Sequence, residues 1–195
     1  MLKPGLQSRL IVISSVSGGG KTSLIRLLQR NHPELQVAIT ATSRTPRPEE
    51  VDGVHYYFYS PDEFKERLQR NEFLEHALVH GHYYGIPEGP VLEKLDAGFS
   101  VILNIDIQGR RTVKEKFADR MISIFLLPPD REIWEDRLRT RGTESEASIQ
   151  VRLQQGLEEM QCAPEYDYRV TNDILERAAG EISFILEKEK IIATG

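Results

Sequence analysis

The chain has 195 residues, 39% of them hydrophobic. That is enough for one packed domain and too apolar for a disordered chain. A formal net charge of −5 excludes a generally basic nucleic-acid surface, so any polyanion must be met by local clusters of Arg and Lys. One cysteine, Cys162, excludes an internal disulfide framework and fits a reducing compartment. The first residues lack the apolar run of a signal peptide, and no apolar stretch nears the ~18 residues of a membrane span. A soluble cytoplasmic protein with no nucleic-acid partner and no membrane is expected.

Residues 9–15, RLIVISS, form a short β-branched apolar run of the kind found in a buried parallel strand. SVSGGGKTS follows, then LIRLLQR, whose Leu24, Leu27 and Leu28 have helical spacing. Residues 37–59 are rich in Thr, Val, Tyr and Phe and are interrupted by TPRPEEVDG, which predicts a small sheet carrying an exposed basic turn. Ser60, Pro61 and Glu63 form a capping-box pattern opening a helix. Residues 87–97 predict another helix, entered at Pro87. Residues 100–106 and 121–129 predict two more buried strands. Helices are expected at 130–141, with Asp130 as cap, and at 149–160. A short strand at 168–173 and an amphipathic helix at 178–192 complete the pattern. Alternating strands and helices imply an α/β fold with a parallel sheet.

The strongest motif is Ser17-Gly18-Gly19-Gly20-Lys21-Thr22, between a strand and a helix. Glycines let backbone N–H groups curl around phosphate oxygens, and the helix N-terminus adds a favourable dipole. Lys21 supplies positive charge to the β and γ phosphates, and the Thr22 hydroxyl can ligate Mg²⁺. The pattern departs from the consensus at its first glycine, which is Ser15 here. Arg44 and Arg47 lie three apart in a turn stiffened by Pro46 and Pro48, with Tyr56, Tyr57 and Tyr59 nearby. Two guanidiniums held close suit a second phosphate group. Asp106 ends an apolar strand, where an acid can hold a Mg²⁺ water. On a helix, His76 and His80 would share one face, yet HALVH lacks the glutamate of a zinc-helix motif, so no metal is expected there. Trp134 reads as packing, and Glu144-Ser145-Glu146 as a solvated acidic face.

Taken together, SGGGKTSL, TSRTPRPEEVDGVHYYF, NEFLEHALVHGHYYG, ILNIDIQG, RLRTRGTESEASIQVRL and VTND resemble the guanylate kinase family, in its order and over roughly residues 9–175. The resemblance implies a P-loop kinase core (residues 9–38, 90–130 and 153–195), a GMP-binding lobe (39–89) and a lid (131–152). It implies ATP and GMP as substrates, with dGMP a further acceptor, and Mg²⁺ as cofactor. ATP is expected at Ser15, Val16, Ser17, Gly18, Gly19, Gly20, Lys21, Thr22, Ser23 and Asn172. For GMP the family pattern implies Thr40, Ser43, Arg44, Arg47, Tyr56, Glu75, Tyr84, Gly85, Asn104 and Asp106, with Glu75 reading guanine. A carboxylate accepts from guanine N1–H and the 2-amino group together, which adenine cannot match. Lys21, Arg44, Arg137, Arg141 and Arg152 are the expected catalytic charges. Thr22, and Asp106 through water, are the expected Mg²⁺ contacts. Ile86 stands where the family commonly has Ser or Thr, and Asn104 where it commonly has Asp; a hydroxyl at position 86 could meet the guanine 2-amino group. Alternatives are a related kinase for another phosphorylated acceptor and a silent guanylate-kinase-like interaction module. The intact TSRTPRPEE argues against the first, and Lys21 against the second.

Overall fold

The computed structural model describes residues 5–79, 81–140 and 146–193. Its first sheet contains β1 (Leu10–Ser15), β2 (Gln36–Val37), β7 (Val101–Asn104), β8 (Met121–Leu127) and β9 (Tyr168–Thr171), in the order β2-β7-β1-β8-β9. Every pairing in it is parallel. The central strands are continuous apolar runs because both faces are covered. Ile11, Ile13, Ile102, Ile122 and Ile124 face one cluster with helices α1 (Lys21–Asn31) and α7 (Leu175–Lys188). Leu10, Val12, Val101 and Leu103 face a second, with Val91 and Leu95 of α3 (Glu88–Asp96) and Val113 of α4 (Ile107–Phe117).

The smaller sheet is mixed. Its strands β3 (Ala41–Thr42), β4 (Tyr57–Phe58), β5 (Phe73–Val79) and β6 (His82–Pro87) run in the order β4-β3-β6-β5. Helix α2 (Pro61–Gln69) packs Phe64 against Phe73, with ring centroids 4.4 Å apart. Ser60 Oγ caps α2 by accepting from Glu63 N, as the capping pattern implies. Helices α5 (Arg131–Arg139) and α6 (Glu146–Met160) complete the fold and meet in a third cluster with Val16, Phe125 and Tyr166.

Several differences from the sequence pattern have local causes. Residues 73–79 are strand, so His76 lies on a β-edge and not on a helical face; His80 lies outside the described residues. The strand pairing with β6 imposes this extended form, although Leu, Glu, His and Ala are tolerable helix formers. Helix α4 is not expected from the sequence pattern; its cap is Asp106, whose carboxylate accepts from Gly109 N. Helix α6 begins at Glu146, three residues early, and α7 at Leu175. Ile86, which departs from the family's Ser or Thr, is buried in the cluster that holds Leu74, Val91 and Leu95, so its side chain serves the core.

Candidate active site

The carboxyl ends of β1, β7 and β9 carry the loops that form one end of the large sheet, which is where ligands bind in open α/β folds. The loop after β1 turns through Gly18 and Gly20 at φ 81° and 86°, positions that a side chain would strain. Gly19 has a different reason. A Cβ there would overlap Ser15 Oγ, which donates to the Val16 carbonyl at 2.8 Å. The serine that replaces the consensus glycine therefore sits against a position that must itself be glycine. Val16 is buried in the α5–α6 cluster, while Thr22 and Ser23 are exposed on the first turn of α1.

Lys21 opens α1 and donates from Nζ to the Ile105 carbonyl at 3.2 Å. Burial lowers its pKa to about 8, against the opposing pull of Asp106, Glu159 and Glu75. Burial raises Glu75 to about 7; the negative charge of Asp106 adds to the rise and Lys21 opposes it. Glu159, on α6, is likewise raised by burial and by Asp106. One ammonium and three carboxyl groups, from α1, β5, α6 and the turn after β7, thus interact, and two of the carboxyls are held above the usual carboxylate range. Glu75 belongs to the small sheet, yet its carboxylate borders α4: a Cβ on Gly109 would lie 3.0 Å from Oε2. Glu159 is a member that sequence reasoning missed. It sits in a run of surface-type residues, and only the direction of α6 turns it inward.

The basic turn is organised by a residue the motif reading also passed over. Glu50 binds Arg44 with both oxygens, at 2.7 Å to Nη1 and 2.6 Å to Nη2, and accepts from Arg47 N at 2.8 Å. Hydrogen bonds from Arg44 and from the Arg47 backbone hold the Glu50 pKa down to about 2; the same contact raises that of Arg44. The Arg44 guanidinium lies 5.2 Å from the Tyr56 ring centroid, and Tyr56 meets Tyr84 edge-on. Arg47 is exposed. Ser43 Oγ accepts from Tyr83 N at 2.9 Å, which ties β3 to β6. Thr40 precedes β3 and its carbonyl accepts from Tyr57 N. Gly85 is buried opposite Ala41, and a Cβ there would crowd the Glu75 carbonyl. Asn104 ends β7 with an exposed side chain, two residues before Asp106.

A cavity of about 500 Å³ opens beside the glycine loop, lined by Gly18, Gly20, Ser23, Arg137, Asn172 and Leu175 among others. Asn172 Nδ2 donates to the Gly19 carbonyl at 2.8 Å. Arg137 donates to the carbonyls of Asn172 and Asp173, so here it braces this cavity's wall. Arg152 reaches Ser17 Oγ at 3.3 Å. Arg141 lies outside the described residues, as do Glu144 and Ser145. Among the described residues, no group of three or more His, Cys, Asp or Glu side chains could hold a metal ion. No helix among them is long and apolar enough to cross a membrane.

A parallel sheet whose central strand runs into a glycine loop and a helix opened by a lysine, with the acid Asp106 just past the neighbouring strand, defines a P-loop kinase. The sequence profile of guanylate kinase matches residues 7–189, and the chain belongs to that family. It is 45% identical over 181 residues to a guanylate kinase of Clostridium perfringens strain 13, covering 93% of this chain and 83% of that one. It is also 45% identical over 184 residues to a guanylate kinase of Caldanaerobacter subterraneus subsp. tengcongensis, covering 94% and 89%. The crystal structure of guanylate kinase from Anaplasma phagocytophilum superposes with a TM-score of 0.72 at 29% identity, covering 98% of this chain and 90% of that one.

Proposed function

We propose that this enzyme transfers the γ-phosphoryl group of ATP to the phosphate of GMP, giving ADP and GDP. Family membership supports the reaction, and one observation carries the assignment of its site. Glu75, from the small sheet, lies in one electrostatic cluster with Lys21 and Asp106 of the large sheet. A base held by Glu75 brings its own phosphate toward the phosphates held by the glycine loop.

In this reading residues 39–89 are the acceptor lobe and residues 131–152 a lid. Backbone N–H groups of residues 15–20, with Lys21, Thr22 and Ser23, take the ATP phosphates, and Asn172 shapes the wall beside them. Thr40, Ser43, Gly85 and Asn104 border the acceptor. Arg44, Arg47, Tyr56 and Tyr84 hold its phosphate, with Glu50 fixing the Arg44 fork. A GMP phosphate oxygen attacks the γ phosphorus in line, and the bond to the bridging oxygen of ADP breaks. The attacking oxygen is already anionic, so no general base is required; positioning and positive charge from Lys21, Arg44, Arg137, Arg141 and Arg152 carry the step. Anionic substrate also favours the charged form of Lys21 and raises its depressed pKa.

The oxygen donors suit Mg²⁺. Thr22 offers a hydroxyl at the head of α1, and Asp106 has one carboxylate oxygen engaged by Gly109 N. A hard cation that keeps its waters and binds mainly substrate phosphates needs few protein ligands. When bound, Mg²⁺ neutralises charge on the β and γ phosphates. dGMP, which keeps the base and phosphate that these residues meet, is a second acceptor. Because ATP and GMP are cytoplasmic metabolites, the chemistry supports a cytoplasmic location. The test is ADP release across a panel of nucleoside monophosphates. GMP should lead the panel, and an equal rate with AMP would sink the assignment.

A further inference from the structure

Trp134 is the chain's single tryptophan, and it is almost wholly buried in α5. Its indole Nε1–H donates to the Ser17 carbonyl at 2.7 Å. The ring occupies a slot that two glycines leave open. A Cβ on Gly156 would overlap the six-membered ring, and one on Gly18 would come within 3.3 Å of Cδ1. Val16, Leu138 and Leu153 belong to the same cluster. Gly18 is also held to glycine by its φ of 81°, but Gly156 has no such backbone reason, and the partner of the indole N–H is the loop's own backbone.

The Ser17–Gly18 peptide is trans, so its C=O and N–H point in opposite directions. Fixing the carbonyl on a buried indole turns the Gly18 N–H the other way, away from the indole. The Gly19–Gly20 peptide is tied in the same manner by Asn172 Nδ2 on the Gly19 carbonyl. Three successive glycines have wide conformational freedom. Bonds from outside the loop must select among those conformations.

We infer that Trp134 is a positioning residue for the phosphate loop, its indole N–H holding the Ser17–Gly18 peptide so that the Gly18 N–H faces a nucleotide phosphate. The inference rests on the reading of this loop as the ATP site. The same bond couples α5 to the loop, beside the contact of Arg152 on α6 with Ser17 Oγ.

Because Trp134 is the only tryptophan, feeding benzothienylalanine to a tryptophan auxotroph replaces this one indole with a near-isostere whose sulfur stands in for the N–H. Titration calorimetry with MgADP, and separately with GMP, then reads the two sites independently of turnover. Loss of one neutral hydrogen bond predicts roughly two- to tenfold weaker ADP binding with GMP binding unchanged. A second protein, with Trp134→Leu and Gly156→Ala together, refills part of the slot without restoring a donor. It should show the same ADP-selective loss while unfolding cooperatively. Unchanged ADP affinity in either protein, or an equal loss for both nucleotides, would overturn the inference. Wild-type protein that binds MgADP but does not phosphorylate GMP would overturn the acceptor assignment alone. Wild-type protein that fails to bind MgADP would overturn both.

Discussion

The two sheets hold their functional groups by different chemistry. The five-stranded sheet is buried on both faces by aliphatic side chains, with Ile, Val and Leu dominating its clusters. The four-stranded sheet has a core of Ala41, Phe64 and Phe73 backed by tyrosines, and it adds charge pairs at its surface. Arg67 there pairs with Glu63 and Glu72 and lies 4.4 Å from the Tyr59 ring centroid. The charged groups follow the same division. Lys21 is depressed because it is buried, whereas Arg44 is raised because a carboxylate grips it near solvent. In the large sheet, geometry comes from packing; in the small one, from paired charges and stacked rings. Glu75 joins the two electrostatically, a small-sheet residue whose titration is governed by burial and by Asp106, just past a large-sheet strand.

If the large sheet's site acts by buried charge, Lys21→Ala should break it most severely. An electrostatic donor of this kind is worth about 10²- to 10³-fold in rate, so kcat/KM should fall by about that factor. The unfolding midpoint should change little, since the lysine contributes charge and not core volume. Steady-state kinetics and a denaturant curve on one preparation check both halves.

Ile86 tests where the small sheet stops and the aliphatic core begins. Its side chain belongs to the large sheet's cluster, although its backbone pairs in β6 opposite Glu75. Ile86→Ser removes buried methyls and buries a hydroxyl, so unfolding stability should fall by about 2–4 kcal/mol. The ratio of GMP to IMP turnover should stay unchanged. A protein of wild-type stability with an altered ratio would place the side chain beside the acceptor base after all.

Glu75→Gln sharpens the comparison at the junction. Losing a charged acceptor should cost about 1.5–3 kcal/mol of GMP recognition, with AMP turnover little affected. The pH dependence has a definite sign. Guanine needs the ionised carboxylate, and with a pKa of about 7 in the free enzyme GMP binding should strengthen as pH rises from about 6 to 8. Stability should move the other way. The folded carboxyl keeps its proton above the ordinary carboxylate range, so wild-type stability should fall as pH rises from that range to about 7. In Glu75→Gln the GMP trend should vanish and the stability trend should shrink, since Glu159 is raised in the same direction and still contributes; calorimetric GMP titrations and urea curves at three pH values decide it.

The smallest effect is expected at Glu50, which touches Arg44 and not the substrate in this reading. Glu50→Gln keeps one acceptor for the arginine fork and loses the charge. A rise of roughly two- to tenfold in KM for GMP, with KM for ATP and kcat nearly unchanged, would mark it as a positioning residue. A fall in KM for GMP would mean that Glu50 competes with the acceptor phosphate for Arg44.

Much of this was legible in the chain. The apolar run before SGGGKTS, the leucine spacing after it and the cap at Ser60 are local signals, and β1, α1 and α2 form where those signals fall. The two arginines of the basic turn suit a phosphate group, but a solvated charged turn reads the same way in sequence; the structure adds Glu50, which grips Arg44. What stayed hidden depends on which distant segments meet. Residues 73–79 became strand because β6 offered a pairing edge, and Ile86 went into the core because β6 carries it under α3. Glu159 looks like any surface glutamate until α6 lays it beside Lys21, 138 positions away in sequence. Trp134 declared its volume to the sequence reader but not its bond to Ser17, because a hydrogen bond's direction depends on the partner backbone. Period, caps and turn chemistry act over a few residues and are written in the chain. Burial, pKa and the aim of a donor depend on neighbours that only the folded structure brings together.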